Sequence, residues 1–117
     1  MNLAQAEALG QVALSALEPY CSRIQIAGSV RRRKEYPRDI EVCCIPRTRD
    51  LAAFADAVSR WERVMGRPGG RYTRRRFPTG EKLDLFMTTR EQWGAILLIR
   101  TGDFEFSRWF VGTALPH

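Results

Sequence analysis

Apolar residues near the start of the chain recur at three- and four-residue steps: Leu3, Ala6, Leu9, Val12, Ala13, Ala16 and Leu17, with Gln5, Glu7, Gln11 and Glu18 between them. That period predicts an amphipathic helix, and Pro19 ends it because proline has no amide hydrogen to continue the ladder. The period then drops to two. Arg23-Ile24-Gln25-Ile26-Ala27 alternates polar and apolar and stops at Gly28-Ser29, the pattern of a half-buried strand running into a turn. A basic, turn-prone loop leads through Pro37 to a second strand, Asp39 to Ile45, closed by Pro46. Thr48 or Asp50 can cap a helix to about Trp61, with Leu51, Phe54, Ala55 and Val58 on one face. Gly66, Pro68, Gly69 and Gly70 break the chain. Arg71 to Phe77 and Lys82 to Thr88 flank Pro78-Thr79-Gly80-Glu81, which predicts a hairpin with a four-residue loop. Thr88 or Thr89 caps a further helix to about Arg100, with Gly102 as its stop, and a short aromatic helix from Asp103 to about Leu115 finishes the chain.

Helix, two strands, helix, two strands, helix, helix is the order of an α+β fold: a mixed sheet with helices packed on one face, here as a single domain over residues 1–117. There is no internal repeat, linker or low-complexity segment. A chain of 117 residues can bury a real core without disulfide staples, and 44% hydrophobic with 27% charged residues excludes a disordered tail or a fibre. The longest apolar run, Ala95 to Ile99, falls far short of the ~20 residues of a membrane span, and no basic n-region marks a signal peptide. We therefore expect a soluble, cytoplasmic protein with no membrane partner.

Charge sharpens the picture. Nineteen Lys and Arg against 13 Asp and Glu leave a net charge of +6, which points to a polyanionic partner. The three cysteines read as reduced thiols, and Cys43 and Cys44, as strand neighbours, should leave opposite faces. Cys43 would share a face with the carboxylates and reads as structural, having no neighbouring histidine. There is no CxxC, and the only histidine is His117, so zinc sites and histidine-based triads lack material.

The carboxylates have more to say. Asp39 and Glu41 stand two apart on a strand, so both leave one face while Ile40, Val42 and Cys44 leave the other. The later strand repeats this with Leu83, Leu85 and Met87 on one face and Asp84 on the other, beside Lys82 and Phe86. If the two strands are neighbours, Asp39, Glu41 and Asp84 converge on the open face of the sheet. Three acids at one spot repel unless cations neutralise them, and hard oxygen ligands suit magnesium or manganese. A lone Asp-x-Glu is ordinarily just a pair of solvated strand residues. What shifts the balance is Gly28-Ser29-Val30-Arg31-Arg32 ahead of it, with Asp39 eleven residues after Gly28. Glycine permits close backbone approach, serine and freed amides donate to phosphate, and arginine adds bidentate contacts. A phosphate cradle ahead of metal-binding carboxylates suits attack on a nucleoside triphosphate.

These motifs, with Lys82-Leu83-Asp84-Leu85, Trp93 and Arg100-Thr101-Gly102, resemble the DNA polymerase β-like (family X) branch of the nucleotidyltransferases over Ile24 to about Leu115. The short members encoded by phages and bacteria are the most similar. The resemblance implies a polymerase β-like palm fold and a DNA polymerase activity that adds nucleotides to a primer 3′-hydroxyl. It implies that Asp39, Glu41 and Asp84 are catalytic and hold two magnesium or manganese ions. Gly28, Ser29 and Arg32 would then bind the triphosphate, Thr101 and Gly102 the sugar, and Ser107 the base edge. The chain departs from the family pattern in Glu41, which replaces an aspartate, in Ile99-Arg100, which replaces an aromatic pair, and in Arg38, which replaces a glycine. No lyase domain or helix-hairpin-helix pattern is found, and residues 103–117 read as the start of a truncated thumb.

Two basic runs, Arg31 to Lys34 and Arg71 to Arg76, hold eight of the 19 basic residues. On a strand Tyr72, Arg74 and Arg76 share a face, a strip for nucleic-acid phosphates with one stacking ring; Arg71 and Lys82 extend it. Trp61, Trp93, Trp109, Phe104, Phe106 and Phe110 read as core. The expected partners are a nucleoside triphosphate and a DNA primer with its template, or RNA. Two alternatives stay open: transfer to another acceptor (RNA or DNA ends, a protein or a small molecule), and a non-catalytic nucleic-acid-binding module.

Overall fold

The computed structural model describes residues 2–28 and 39–95. Helix α1 spans Leu3–Leu17 and opens on a capping box in which the Gln5 amide donates to the Asn2 side chain at 2.8 Å and the Asn2 amide donates to the Gln5 side chain at 3.0 Å. Its buried stripe is Ala6, Gly10, Ala13 and Leu17, so the face is centred on small residues and Val12 is left 52% exposed. Gly10 belongs to this stripe for a steric reason. A Cβ there would come within 2.6 Å of Ile26 Cδ1, so glycine lets the helix lie directly on the first strand. Pro19 does end the helix, and a 3₁₀ turn, Glu18–Tyr20, leads into the sheet.

The sheet has five strands: β1 Cys21–Ala27, β2 Ile40–Pro46, β3 Glu62–Met65, β4 Tyr72–Arg76 and β5 Lys82–Met87, in the spatial order β1-β2-β5-β4-β3. Among the described residues β2 and β5 run parallel, and the other three pairings are antiparallel. A second 3₁₀ turn, Thr48–Asp50, precedes helix α2, Leu51–Val58, which ends three residues short of the sequence expectation at Trp61. The parallel pairing requires a crossover, and the segment from α2 through β4 supplies it. One apolar core joins Ala6, Ala13 and Leu17 of α1 and Phe54, Ala57 and Val58 of α2 to Ile40, Val42 and Cys44 of β2 and Leu83 and Leu85 of β5. Both helices therefore cover the same face of the sheet, and the opposite face carries the acids. Trp61 packs against this core, edge-on to Phe77 with ring centroids 5.8 Å apart.

Strand β3 was not expected. All four of its residues are exposed, so no apolar alternation announces it, and it exists by pairing with β4. The ladder slips between Arg63 and Met65, and Gly66 turns away with φ +82° where a Cβ would strike the Tyr72 carbonyl. Arg75 is the other departure. It leaves the face opposite Tyr72, Arg74 and Arg76 and is 3% exposed, donating to Thr73 Oγ1 at 3.0 Å and to the Trp61 carbonyl at 3.4 Å. Burial and the nearby Arg63 both push its pKa down. The β4–β5 hairpin turns as expected, with Phe77 N–H donating to the Glu81 carbonyl at 2.9 Å. Residues 93–95 begin a helix, and the expected aromatic helix at 103–115 lies outside the described residues. Among the described residues, no helix is long and apolar enough to cross a membrane.

Candidate functional site

The register of the parallel pair sets the geometry. Glu41 of β2 stands opposite Asp84 of β5, one step along from Ile40 opposite Leu83, so the two acids share the open face while their apolar neighbours share the core. Adjacent strands lie about 4.8 Å apart, which makes the two carboxylates side-by-side neighbours. Asp39 immediately precedes β2 on a bend and is half-buried. On the other side of β2, Glu41 pairs with Ala27, the last residue of β1. Gly28 follows at φ +64°, and a Cβ on it would come within 2.5 Å of Glu41 Oε2. Glycine at this position thus serves both the left-handed backbone and the carboxylate beside it.

From β4, Arg74 pairs in register with Asp84 and lays its guanidinium along the carboxylate: Nε donates to Oδ1 at 2.7 Å and a terminal nitrogen to Oδ2 at 2.9 Å. The same terminal nitrogen reaches Asp39 Oδ2 at 3.3 Å. Tyr72, two residues earlier on the same face, donates its hydroxyl to Asp84 Oδ1 at 2.6 Å. Asp84 is only 3% exposed and accepts three hydrogen bonds, two of them from the Arg74 guanidinium, so its charge is met within the fold. The partners respond accordingly. Hydrogen bonding to Asp84 holds the Arg74 guanidinium more firmly protonated than usual, and burial with the bond to Asp84 raises the Tyr72 phenol above its ordinary value.

Three carboxylates on one face are the hard-oxygen donors that magnesium or manganese takes. As placed, among the described residues, no three His, Cys, Asp or Glu side chains gather around one ion position. Arg74 pairs with both Asp39 and Asp84, so positive charge at this face comes from the chain itself. Spacing showed Tyr72, Arg74 and Asp84 to be polar strand residues, but their mutual contact depends on the hairpin register, which the loop between β4 and β5 sets.

The remaining expected residues divide. Arg71 is exposed, Lys82 is half-buried two residues before Asp84 on the same strand, and Arg76 faces Glu62 at 3.5 Å. Arg63 and Arg67, which spacing did not single out, add exposed charge near the same sheet edge. Next to Tyr72 the Phe86 ring lies 5.1 Å away at 34°, and a cavity of about 360 Å³ opens beside them, with Arg71 and Gln92 in its wall. Ser29, Arg32, Thr101, Gly102 and Ser107 lie outside the described residues. Compared with models of known families and with curated proteins, the chain matches none.

Proposed function

We propose that this chain is a metal-dependent nucleotidyltransferase with a polymerase β-like palm, a minimal family X-type DNA polymerase that extends a primer 3′-hydroxyl. The observation that carries the reading is the register of Glu41 against Asp84 on adjacent parallel strands, with Asp39 tied to Asp84 through Arg74, all on the face opposite the core. Asp39, Glu41 and Asp84 are the residues that hold magnesium or manganese, which when bound lowers the pKa of the attacking hydroxyl and neutralises the leaving pyrophosphate. Asp84, once Arg74 has moved off it, is placed to accept the hydroxyl proton. Gly28 leaves no side chain against Glu41 at the end of β1, and Ser29 and Arg32 are the residues that would bind the triphosphate. The oxygen of the primer then bonds to the α-phosphorus as the bond to the pyrophosphate breaks.

The Arg74 clamp favours one second reading, a nucleic-acid-binding module without catalysis, because a site that neutralises its own acid has no need of a cation. Primer extension separates the two. The chain, a labelled primer with paired or unpaired template, and dNTPs or rNTPs are combined with and without magnesium or manganese. Metal-dependent extension that Glu41→Gln abolishes supports the transferase. Binding of the primer with no extension under either metal supports the module, and extension without a template moves the acceptor to nucleic-acid ends.

A further inference from the structure

The three cysteines divide between the two faces of the sheet. Cys43 alternates with Glu41 toward the open face, whereas Cys44 belongs to the apolar core. Cys21, at the start of β1, joins Cys44 there because the β1–β2 ladder slips: Cys21 pairs with Pro46 and Ile24 with Cys44, with a register shift between Cys21 and Arg23. The slip sends Ser22 outward, where its hydroxyl donates to the Ile45 carbonyl at 3.2 Å, and turns Cys21 inward, diagonal to Cys44 on the neighbouring strand. The two thiols are neighbours inside this core, close enough for each to bias the other's proton. The neighbouring Cys44 thiol, helped by the Arg47 guanidinium and opposed by burial, holds the Cys21 thiol below its ordinary value, while the neighbouring Cys21 thiol and burial push Cys44 up. A cavity of about 450 Å³ opens on Cys21, with Arg23, Gln25, Arg47 and Trp93 in its wall. Cys21 is only 5% exposed, so what reaches its sulfur must be small and at home among polar groups.

We propose that Cys21 and Cys44 form a redox modification site, in which hydrogen peroxide oxidises Cys21 and Cys44 resolves the product to an intramolecular disulfide. In the first step the Cys21 thiolate attacks a peroxide oxygen, the O–O bond breaks and hydroxide leaves, taking up the thiol proton as water; Cys21 becomes a sulfenic acid. In the second step the Cys44 sulfur attacks the Cys21 sulfur. The S–S bond forms, the S–O bond breaks, and the hydroxyl departs with the Cys44 proton as a second water. Two thiols lose two hydrogens, and one peroxide is reduced to two waters. The two cysteines sit diagonally on adjacent strands in one core, so the bond joins residues that the fold already makes neighbours. The loop that the bond closes carries Gly28, Asp39 and Glu41, so oxidation ties β1 to β2 at the end of the sheet remote from the acids. This inference does not depend on the nucleotidyltransferase reading.

The test is hydrogen peroxide on the reduced, full chain, followed by unfolding in excess maleimide, intact mass and peptide mapping. We expect the mass to fall by two hydrogens, maleimide uptake to fall from three thiols to one, and the bond to map to Cys21 and Cys44 with Cys43 alkylated. Cys43→Ser should behave identically, which removes the ambiguity of the adjacent cysteines. Cys44→Ser should stop at a Cys21 sulfenic acid that dimedone captures. Three maleimides retained after prolonged excess peroxide, a bond to Cys43, or a bond between two chains would overturn the proposal. The mapping on the unaltered chain decides it even where a variant does not fold.

Discussion

Arg74 and Asp84 face each other in register across β4 and β5 and are joined by two parallel hydrogen bonds, at 2.7 and 2.9 Å. The acid at the centre of the candidate site thus arrives with a counter-ion of its own, one shared with Asp39. Arg74→Gln removes it and leaves Asp84, 3% exposed, with a large part of its charge unbalanced. The expected loss is about 2 kcal/mol of stability, since the arginine is itself partly exposed and the pair is not wholly dry. A denaturant titration measures it. Magnesium should then raise the melting temperature of the variant by more than that of the parent, because the ion no longer competes with a guanidinium. Equal responses would mean that metal and Arg74 do not share a place.

Glu41 and Asp84 should separate in their effects although both belong to the proposed ligand set. Glu41→Gln keeps the shape of a half-buried side chain and is expected to cut nucleotide transfer by at least about 100-fold with little change in melting temperature. Asp84→Asn should lose transfer and stability together, since Arg74 loses the acceptor of a bidentate pair. Transfer rates and melts on the same preparations check this. Full activity in either variant would remove that residue from the chemistry.

The faces of β2 and β5 were legible because each strand alternates a core residue with an acid, Ile40 and Val42 around Glu41, Leu83 and Leu85 around Asp84. A period of two leaves no freedom in which side points inward once one side is apolar. Strand β3 was not legible, since an edge strand that buries nothing leaves no hydropathy pattern. Nor was the inward turn of Arg75, an ionic residue whose default is the surface and whose burial depends on the carbonyls of Trp61 and Gly66. The stripe of α1 was partly hidden for a related reason: its centre is Gly10, which scores as no hydrophobe at all. The clamp of Arg74 on Asp84 required knowing which residue of β4 stands opposite which residue of β5. Either partner alone is an ordinary strand residue.

Gly28→Ala tests the close approach of β1 to the acids. The new Cβ is strained at φ +64° and would lie 2.5 Å from Glu41 Oε2, so the carboxylate must shift. A left-handed alanine costs about 1–2 kcal/mol, and the displaced Glu41 should lower transfer further than the melting temperature alone explains. Stability and transfer measured side by side show whether the two losses are coupled. A variant with normal activity would mean that Glu41 need not stay where Gly28 lets it stand.

Tyr72 supplies an alkaline signature. Burial and its bond to Asp84 raise the phenol above its ordinary value, so the folded chain favours the protonated form. The contribution to stability is complete below the unfolded phenol value of about 10 and is lost as pH rises through the raised folded value. Phenolate absorbance of the native chain should show one of its three tyrosines titrating late and should lose that component on unfolding or in Tyr72→Phe. A late component that survives Tyr72→Phe would assign the shift elsewhere.

Nucleic-acid binding should distinguish the committed arginine from the open ones. Arg74 has its donors on Asp84 and Asp39, whereas Arg71 is exposed and Arg76 has only a long, exposed contact to Glu62. Phosphate contacts release counterions, so affinity for unrelated duplexes should fall steeply with salt and vary little with sequence. Arg71→Ala and Lys82→Ala should each reduce the slope of log affinity against log salt by about 1, the signature of one lost phosphate contact. Arg74→Gln should leave that slope nearly unchanged while it lowers stability, because a guanidinium already paired has no phosphate to give up. Equal slopes lost at Arg74 and Arg71 would show that the acid clamp opens when DNA arrives, and that Arg74 exchanges a carboxylate for a phosphate as the complex forms.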